Sequence, residues 1–206
     1  MKDSPMSTST APLSLPQLRT LMFKEGLKVF ETGAYNLNLV GVRNMSKLHE
    51  NKFNDWFYCF YKDVDGYWST HRWACTTDPG TYWRLHPTNP KGTAILAPGQ
   101  YRAAYMLGKH KGKYEALVQQ GKMPVAHFRD SDRNEDLNFT GDLITDTYIG
   151  ANIHRASATT VTENVNKYSA ACQVIQNPLH FYLLIALAKL SSSIHGPYFT
   201  YTLLEI

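Results

Sequence analysis

Two residue types in the last third of the chain can do covalent chemistry together. In YIGANIHRASATTVTENVNKYSAACQVIQNP, His154 closes an apolar stretch and Cys172 follows eighteen positions later, after a polar loop. A thiol near its ordinary pKa of about 8.5 is a weak nucleophile at neutral pH. Beside an imidazole that takes its proton, the same sulfur attacks a carbonyl carbon and forms an acyl-enzyme. Ser169, Ala170 and Ala171 are small, so the backbone before Cys172 can approach a substrate and offer N–H groups to a developing oxyanion. Arg155 offers a guanidinium fork for a substrate carboxylate, with an exposed surface arginine as the alternative. Composition alone leaves open a plainer reading, a buried cysteine with an unrelated histidine.

Other residue patterns invite chemistry less directly. The run RDSDRNEDLNF sets Asp130, Asp132, Asn134, Asp136 and Asn138 at alternate positions, as oxygen ligands stand in a calcium loop. Glu135 occupies the place where the sharp turn needs glycine, and Gly141 stands where a bidentate glutamate closes such a loop. A solvated turn is therefore the expectation, with calcium its alternative. The remaining histidines show no His-x-x-x-His spacing and the cysteines no Cys-x-x-Cys spacing, so neither a metal enzyme nor another cofactor is expected. His71 and His86 are the candidates for a second imidazole near Cys172. Trp56, Trp68, Trp73 and Trp83 can line a glycan groove, but aromatics in alternating strands usually fill a core. Lys109, Lys111 and Lys113 form the one local basic patch.

Strands must do most of the positioning. From Leu15, the residues Leu18, Leu21, Met22 and Val29 predict a helix, with Gly33 as its stop. Tyr35 to Arg43 reads as a strand, and the aromatic runs on both sides of Asp65-Gly66 read as two strands joined by a tight turn. Between Thr76 and Gly108, repeated Pro and Gly predict short strands and ordered loops. Pro124 to Arg129 and Thr147 to His154 predict further strands, Asn177 to Leu190 a helix, and Tyr198 to Leu204 a closing strand. The fold class is mainly β with two or three helices, α+β.

Composition sets the bounds. The 206 residues suit one domain, taken as 15–206, after a disordered lead over 1–14 that is rich in Ser, Thr and Pro. Hydrophobic residues make up 43% and aromatics 13%, too many for a disordered chain. The net charge of +4 carries no basic block, so nucleic acid is not the expected partner. Cys59, Cys75 and Cys172 are an odd number with no close pair, so no disulfide framework is expected. Cys59 and Cys75 read as small buried hydrophobes. No apolar stretch suits a signal peptide, and Phe181 to Leu190 is about half a membrane span, so a membrane is not expected either.

The segments IHR and SAACQVI resemble the catalytic signature of the L,D-transpeptidase (YkuD-type) family. That signature is a His, a spacer, then Ser or Thr, His, Gly and Cys. His154, Ser169 and Cys172 match it, whereas Ala170 stands for the second His and Ala171 for the Gly. Upstream, Ala97-Pro98-Gly99-Gln100-Tyr101 resembles the family's Thr-Pro-x-Gly segment before an aromatic strand. The likeness spans roughly Thr70 to the C-terminus. The whole chain is also similar to proteins encoded by tailed phages and prophages of Bacteroidota.

The enzyme family implies a β-sandwich or barrel around a catalytic groove, with peptidoglycan stem peptides as substrate. Cys172 would be the nucleophile, His154 its base or ion-pair partner, Ser169 part of the catalytic signature, and the Ala171 and Cys172 amides the oxyanion donors. Asn152, Arg155 and Gln173 flank the signature and are the candidate substrate contacts. Transfer to an amine or hydrolysis by water both follow from such an acyl-enzyme. The alternative is a degenerate phage structural or wall-binding module of the same fold, its partners virion proteins. Either role implies a virion-associated protein or one in the host cytoplasm that meets the wall at entry or lysis.

Overall fold

The computed structural model describes residues 11–48, 50–121 and 123–206. Of the expected disordered lead, residues 1–10 lie outside the described residues, while the Leu13 carbonyl accepts a hydrogen bond from the Tyr58 hydroxyl at 3.1 Å. Helix α1 (Leu15–Lys24) starts at Ser14, whose hydroxyl and amide both meet the Gln17 side chain in a capping box. It stops well before Gly33. Gly26 takes a left-handed φ of +68°, and the Leu27 amide returns to the Met22 carbonyl at 2.9 Å, closing the helix a turn and a half before Val29.

The chain continues as β1 (Asn38–Arg43), β2 (Asp55–Lys62), β3 (Trp68–Thr76), a short helix α2 (Thr81–Leu85), β4 (Thr93–Leu96) and β5 (Gly99–His110). There follow β6 (Tyr114–Gln119), β7 (His127–Asp130), β8 (Thr140–Ile144), β9 (Ile153–Arg155), β10 (Gln173–Ile175), α3 (Pro178–His195) and β11 (Tyr198–Glu205). The hairpin about Asp65-Gly66 forms as β2 and β3, paired antiparallel along their length. The strand expected over Thr147 to His154 is irregular until Ile153, because Gly150 turns the chain at φ +69° and its carbonyl takes the Asn152 amide.

Among the described residues, eight strands close into a ring in the order β1, β11, β5, β6, β9, β10, β3, β2. The β1–β11 and β9–β10 pairs are parallel and the others antiparallel. A separate three-stranded sheet runs β4, β7, β8. Among the described residues the protein is thus mainly β with three α-helices. No helix among the described residues is long and apolar enough to cross a membrane.

Alternation along β1 explains why every residue of that strand is buried. Leu39 joins the main core with Phe57, Tyr105, Leu117 and Tyr201, while Val40 and Val42 pack with Leu18 and Met22 of α1. Helix α3 adds Phe181, Leu184 and Ala188 to the main core. Cys59 and Cys75 are fully buried there. Gly41 leaves room for Tyr201: a Cβ at that position would lie 1.9 Å from the Tyr201 hydroxyl oxygen. A buried Arg43 is held by Asp78, Glu205 and the Thr77 and Leu96 carbonyls. The partners compensate what desolvation of that charge costs.

Candidate active site

Strand register brings three distant segments together. The β5–β6 hairpin turns through Lys111 and Gly112, both left-handed, so His110 and Tyr114 face each other across it. β6 pairs with β9 at Leu117 and Ile153, which sets the hairpin end beside His154. β10 runs parallel to β9, and the Gln173 amide donates to the Asn152 carbonyl at 2.9 Å, so Cys172 arrives next to Asn152. The Cys172 sulfur and one ring nitrogen from each of His110 and His154 lie within 4.8 Å of one another. The two imidazoles are buried, whereas Cys172 is half-buried.

Hydrogen bonds assign different proton positions to the two rings. His154 Nδ1 lies 2.8 Å from the Arg155 carbonyl, which can only accept, so Nδ1 carries the proton and Nε2 keeps its lone pair. That Nε2 is buried without a partner. The Tyr114 hydroxyl lies 3.1 Å from His154 Nδ1 and donates to the Arg155 carbonyl at 3.3 Å. Asn152 accepts the Gln119 amide through Oδ1, which turns its NH2 toward His110 Nδ1 at 3.1 Å. His110 Nδ1 therefore accepts and its other nitrogen is protonated. Of the two, His154 offers the free lone pair.

All three groups rest uncharged. Burial pushes His154 down to about 3, helped by the charge of neighbouring His110, and pushes His110 down to about 4, helped by Lys111 and Arg155. Burial raises the Cys172 thiol to about 11, against a pull from the Asn152 backbone amide and Lys111. The thiol points at the Gly150 carbonyl, 3.6 Å away.

The residues named from sequence take several roles. Ser169 is fully buried below the turn that carries Cys172; its hydroxyl donates to the Cys172 carbonyl at 2.8 Å and receives the Ala171 amide at 3.5 Å, so it positions the turn. Ala171 holds φ at +132°, a conformation suited to glycine. Gln173, expected to touch substrate, is instead fully buried, because alternation in β10 turns it inward; it bonds the Tyr201 hydroxyl at 2.7 Å and the Ala171 carbonyl at 3.2 Å. Asn152, likewise expected to bind substrate, uses its side chain to link Gln119 and His110. Arg155 stacks its guanidinium 4.0 Å from the Tyr114 ring centroid.

Neither histidine considered as a second imidazole reaches the site in this way. His71 stacks between Tyr61 and Trp73, and His86 stacks on Tyr82. His110 supplies the ring instead, and its signal lay in its place after Lys109 at the end of β5, where strand alternation puts the histidine on the face opposite that lysine. The Asp130 and Asp132 carboxylates meet, but no third donor joins them: among the described residues, His110, His154 and Cys172 are the one converging group of three such donors. Asp130 is buried, and the loop is tied by Asn134 to the Asp136 amide and by Asn138 to Asp132.

A cavity of about 250 Å³ opens beside the turn before Cys172, with Trp83, Asn89, Arg129, Tyr148, Ile149 and Ala170 in its wall. Comparison with protein-family models, curated proteins and solved structures finds no match to this chain.

Proposed function

We propose that the protein is a cysteine acyltransferase or peptidase that acts on peptidoglycan stem peptides through an acyl-enzyme on Cys172, with an L,D-transpeptidase-like fold. The observation that carries this reading is the approach of the Cys172 sulfur to two imidazoles, one of which presents a buried, unpartnered lone pair. The resemblance of IHR and SAACQVI to that family's signature supplies the substrate class.

In the mechanism we infer, the sulfur attacks a peptide carbonyl carbon while its proton passes to His154 Nε2. The carbonyl oxygen becomes an oxyanion near the Ala171 and Cys172 amides. His154 then returns the proton to the leaving amine as the C–N bond breaks, which leaves a thioester on Cys172. An amine or a water molecule gives its proton to His154 and attacks the thioester, and the thiol re-forms. His110 orients and shields His154 by stacking, and Asn152 holds His110 in place.

The test is incubation of wild type and Cys172→Ala with purified muropeptides carrying tetrapeptide stems, followed by intact-protein mass spectrometry and product analysis. An adduct that requires Cys172 supports the enzyme, and the product separates transfer from hydrolysis. The strained φ of Ala171 and the raised thiol favour a second reading, a degenerate virion or wall-binding module. Wild type and Cys172→Ala that are equally inert yet bind wall fragments would support it.

A further inference from the structure

Among the described residues, the guanidinium of Arg129 of β7 has no acid beside it. Its Nη1 donates to the Gly92 carbonyl at 3.1 Å, and its Nε is buried without a partner. Burial lowers its pKa with no carboxylate acting against it, whereas Arg84 is surrounded by Asp78, Asp130, Asp136 and Glu135. Asp130 follows Arg129 directly, but strand alternation turns it to the opposite face, within the field of Arg84. A half-buried cation of this kind is completed when an anion joins it.

The guanidinium stands in the wall of the cavity beside the nucleophile turn. Ala170, two positions before Cys172, lines one side, and Ile149 precedes the Gly150 carbonyl that faces the thiol. Trp83 and Tyr148 add apolar surface. Asn89 accepts the Lys91 amide through its oxygen, which leaves its NH2 as a further donor. The volume of about 250 Å³ falls below the roughly 300 to 1,000 Å³ of sites for drug-sized ligands. It suits one terminal residue better than a long segment.

We propose that this cavity is a carboxylate subsite, in which the Arg129 fork takes the free carboxylate of a short peptide whose neighbouring carbonyl is presented to Cys172. A guanidinium matches a carboxylate through two parallel N–H donors; the Arg129 Nε is covered by protein atoms, so the Nη1 and Nη2 groups supply them. The presentation to Cys172 rests on the acyl-transfer reading; the carboxylate binding does not.

The experiment uses the full chain carrying Cys172→Ala and follows by NMR the backbone amide resonance of Ala170 in the cavity wall, which every variant retains. N-acetylalanine of either hand and N-acetylalaninamide are the probes. The acid should shift that resonance to saturation and bind about tenfold or more tighter than the amide, since only the acid accepts a charge-assisted pair of bonds. Arg129→Lys, which keeps the charge but not the fork, should lose about tenfold in acid affinity, while a change at the exposed Arg102 of β5, Arg102→Gln, should leave it unchanged. Equal binding of acid and amide, or unchanged acid binding in Arg129→Lys and Arg129→Gln, would overturn the subsite. Selective acid binding together with muropeptides that never acylate Cys172 would uphold the subsite and defeat the enzyme reading. Acylation without acid selectivity would do the reverse.

Discussion

His110 and His154 stack face to face, with ring centroids 3.9 Å apart and planes inclined by 24°. Two imidazolium charges at that separation repel by about 4 kcal/mol at an effective dielectric of about 20. Beyond the one N–H that each neutral ring carries, the pair therefore takes up one added proton at most, and the hydrogen bonds to the Arg155 carbonyl and the Asn152 amide decide which ring receives it.

The pH dependence of stability follows from the lowered histidines. Their folded values of about 3 and about 4 lie below the ordinary value of about 6.5, so the unfolded chain takes up protons first as pH falls. Their contribution is fully present above about pH 6.5 and is lost as pH falls toward 4 and then 3. Asp55 and Asp130, raised by burial to about 7, slope the other way, their contribution being lost as pH rises from about 4 to 7. The comparison with His110→Asn isolates the rings. Between about pH 6.5 and 4.5, the urea midpoint of the wild type should fall further than that of the variant. Parallel curves would show that the rings are not held neutral.

The cysteines should differ sharply in reactivity. Iodoacetamide should label Cys172 in the folded protein and spare Cys59 and Cys75, which are fully buried. With the thiol raised to about 11, the labelling rate should climb about tenfold per pH unit from 7 to 10. His154→Gln should leave that resting rate within a few-fold and still abolish acylation by substrate. Peptide mapping by mass spectrometry reads both. A rate already level below pH 7 would reveal a preformed thiolate and contradict the neutral resting site.

Ala171→Gly should stabilise the protein. A left-handed φ at a residue with a Cβ costs about 1 to 3 kcal/mol, of which the more flexible glycine gives part back through the unfolded chain. A net gain of about 1 kcal/mol is expected from urea unfolding. A loss of stability would mean that the Ala171 methyl group contributes more by packing in the core than its backbone strain costs.

Gly41→Ala should destabilise strongly. The added methyl meets the Tyr201 hydroxyl, which spans the ring interior to Gln173 at 2.7 Å. Overpacking plus the displaced hydrogen bond implies a loss of about 3 kcal/mol. Thermal unfolding of the variant and of Gly41→Ala with Tyr201→Phe, which removes the colliding oxygen, measures it; the double variant should recover part of the loss.

Local patterns made much of the fold legible. The turn at Asp65-Gly66 announces β2 and β3, Asn177 and Pro178 announce the start of α3, and the branched and aromatic run from Tyr198 announces β11. Gly26 was a stop signal nearer than Gly33, so α1 is shorter than its apolar spacing suggests. The site was legible only as far as His154 and Cys172, whose spacing and small neighbours are written in one stretch of chain. Sequence by itself determined these elements because turn preference, capping and side-chain alternation act between residues a few positions apart. Tertiary structure alone decided that His110 stacks on His154, that Gln173 turns inward to Tyr201, and that Arg129 stands, without an acid among the described residues, beside the turn before Cys172. Those relations depend on closure of the ring through the β6–β9 and β9–β10 registers and on how the small sheet packs beside it. Such pairings join segments tens of residues apart, and no local energy term encodes which side chains then meet.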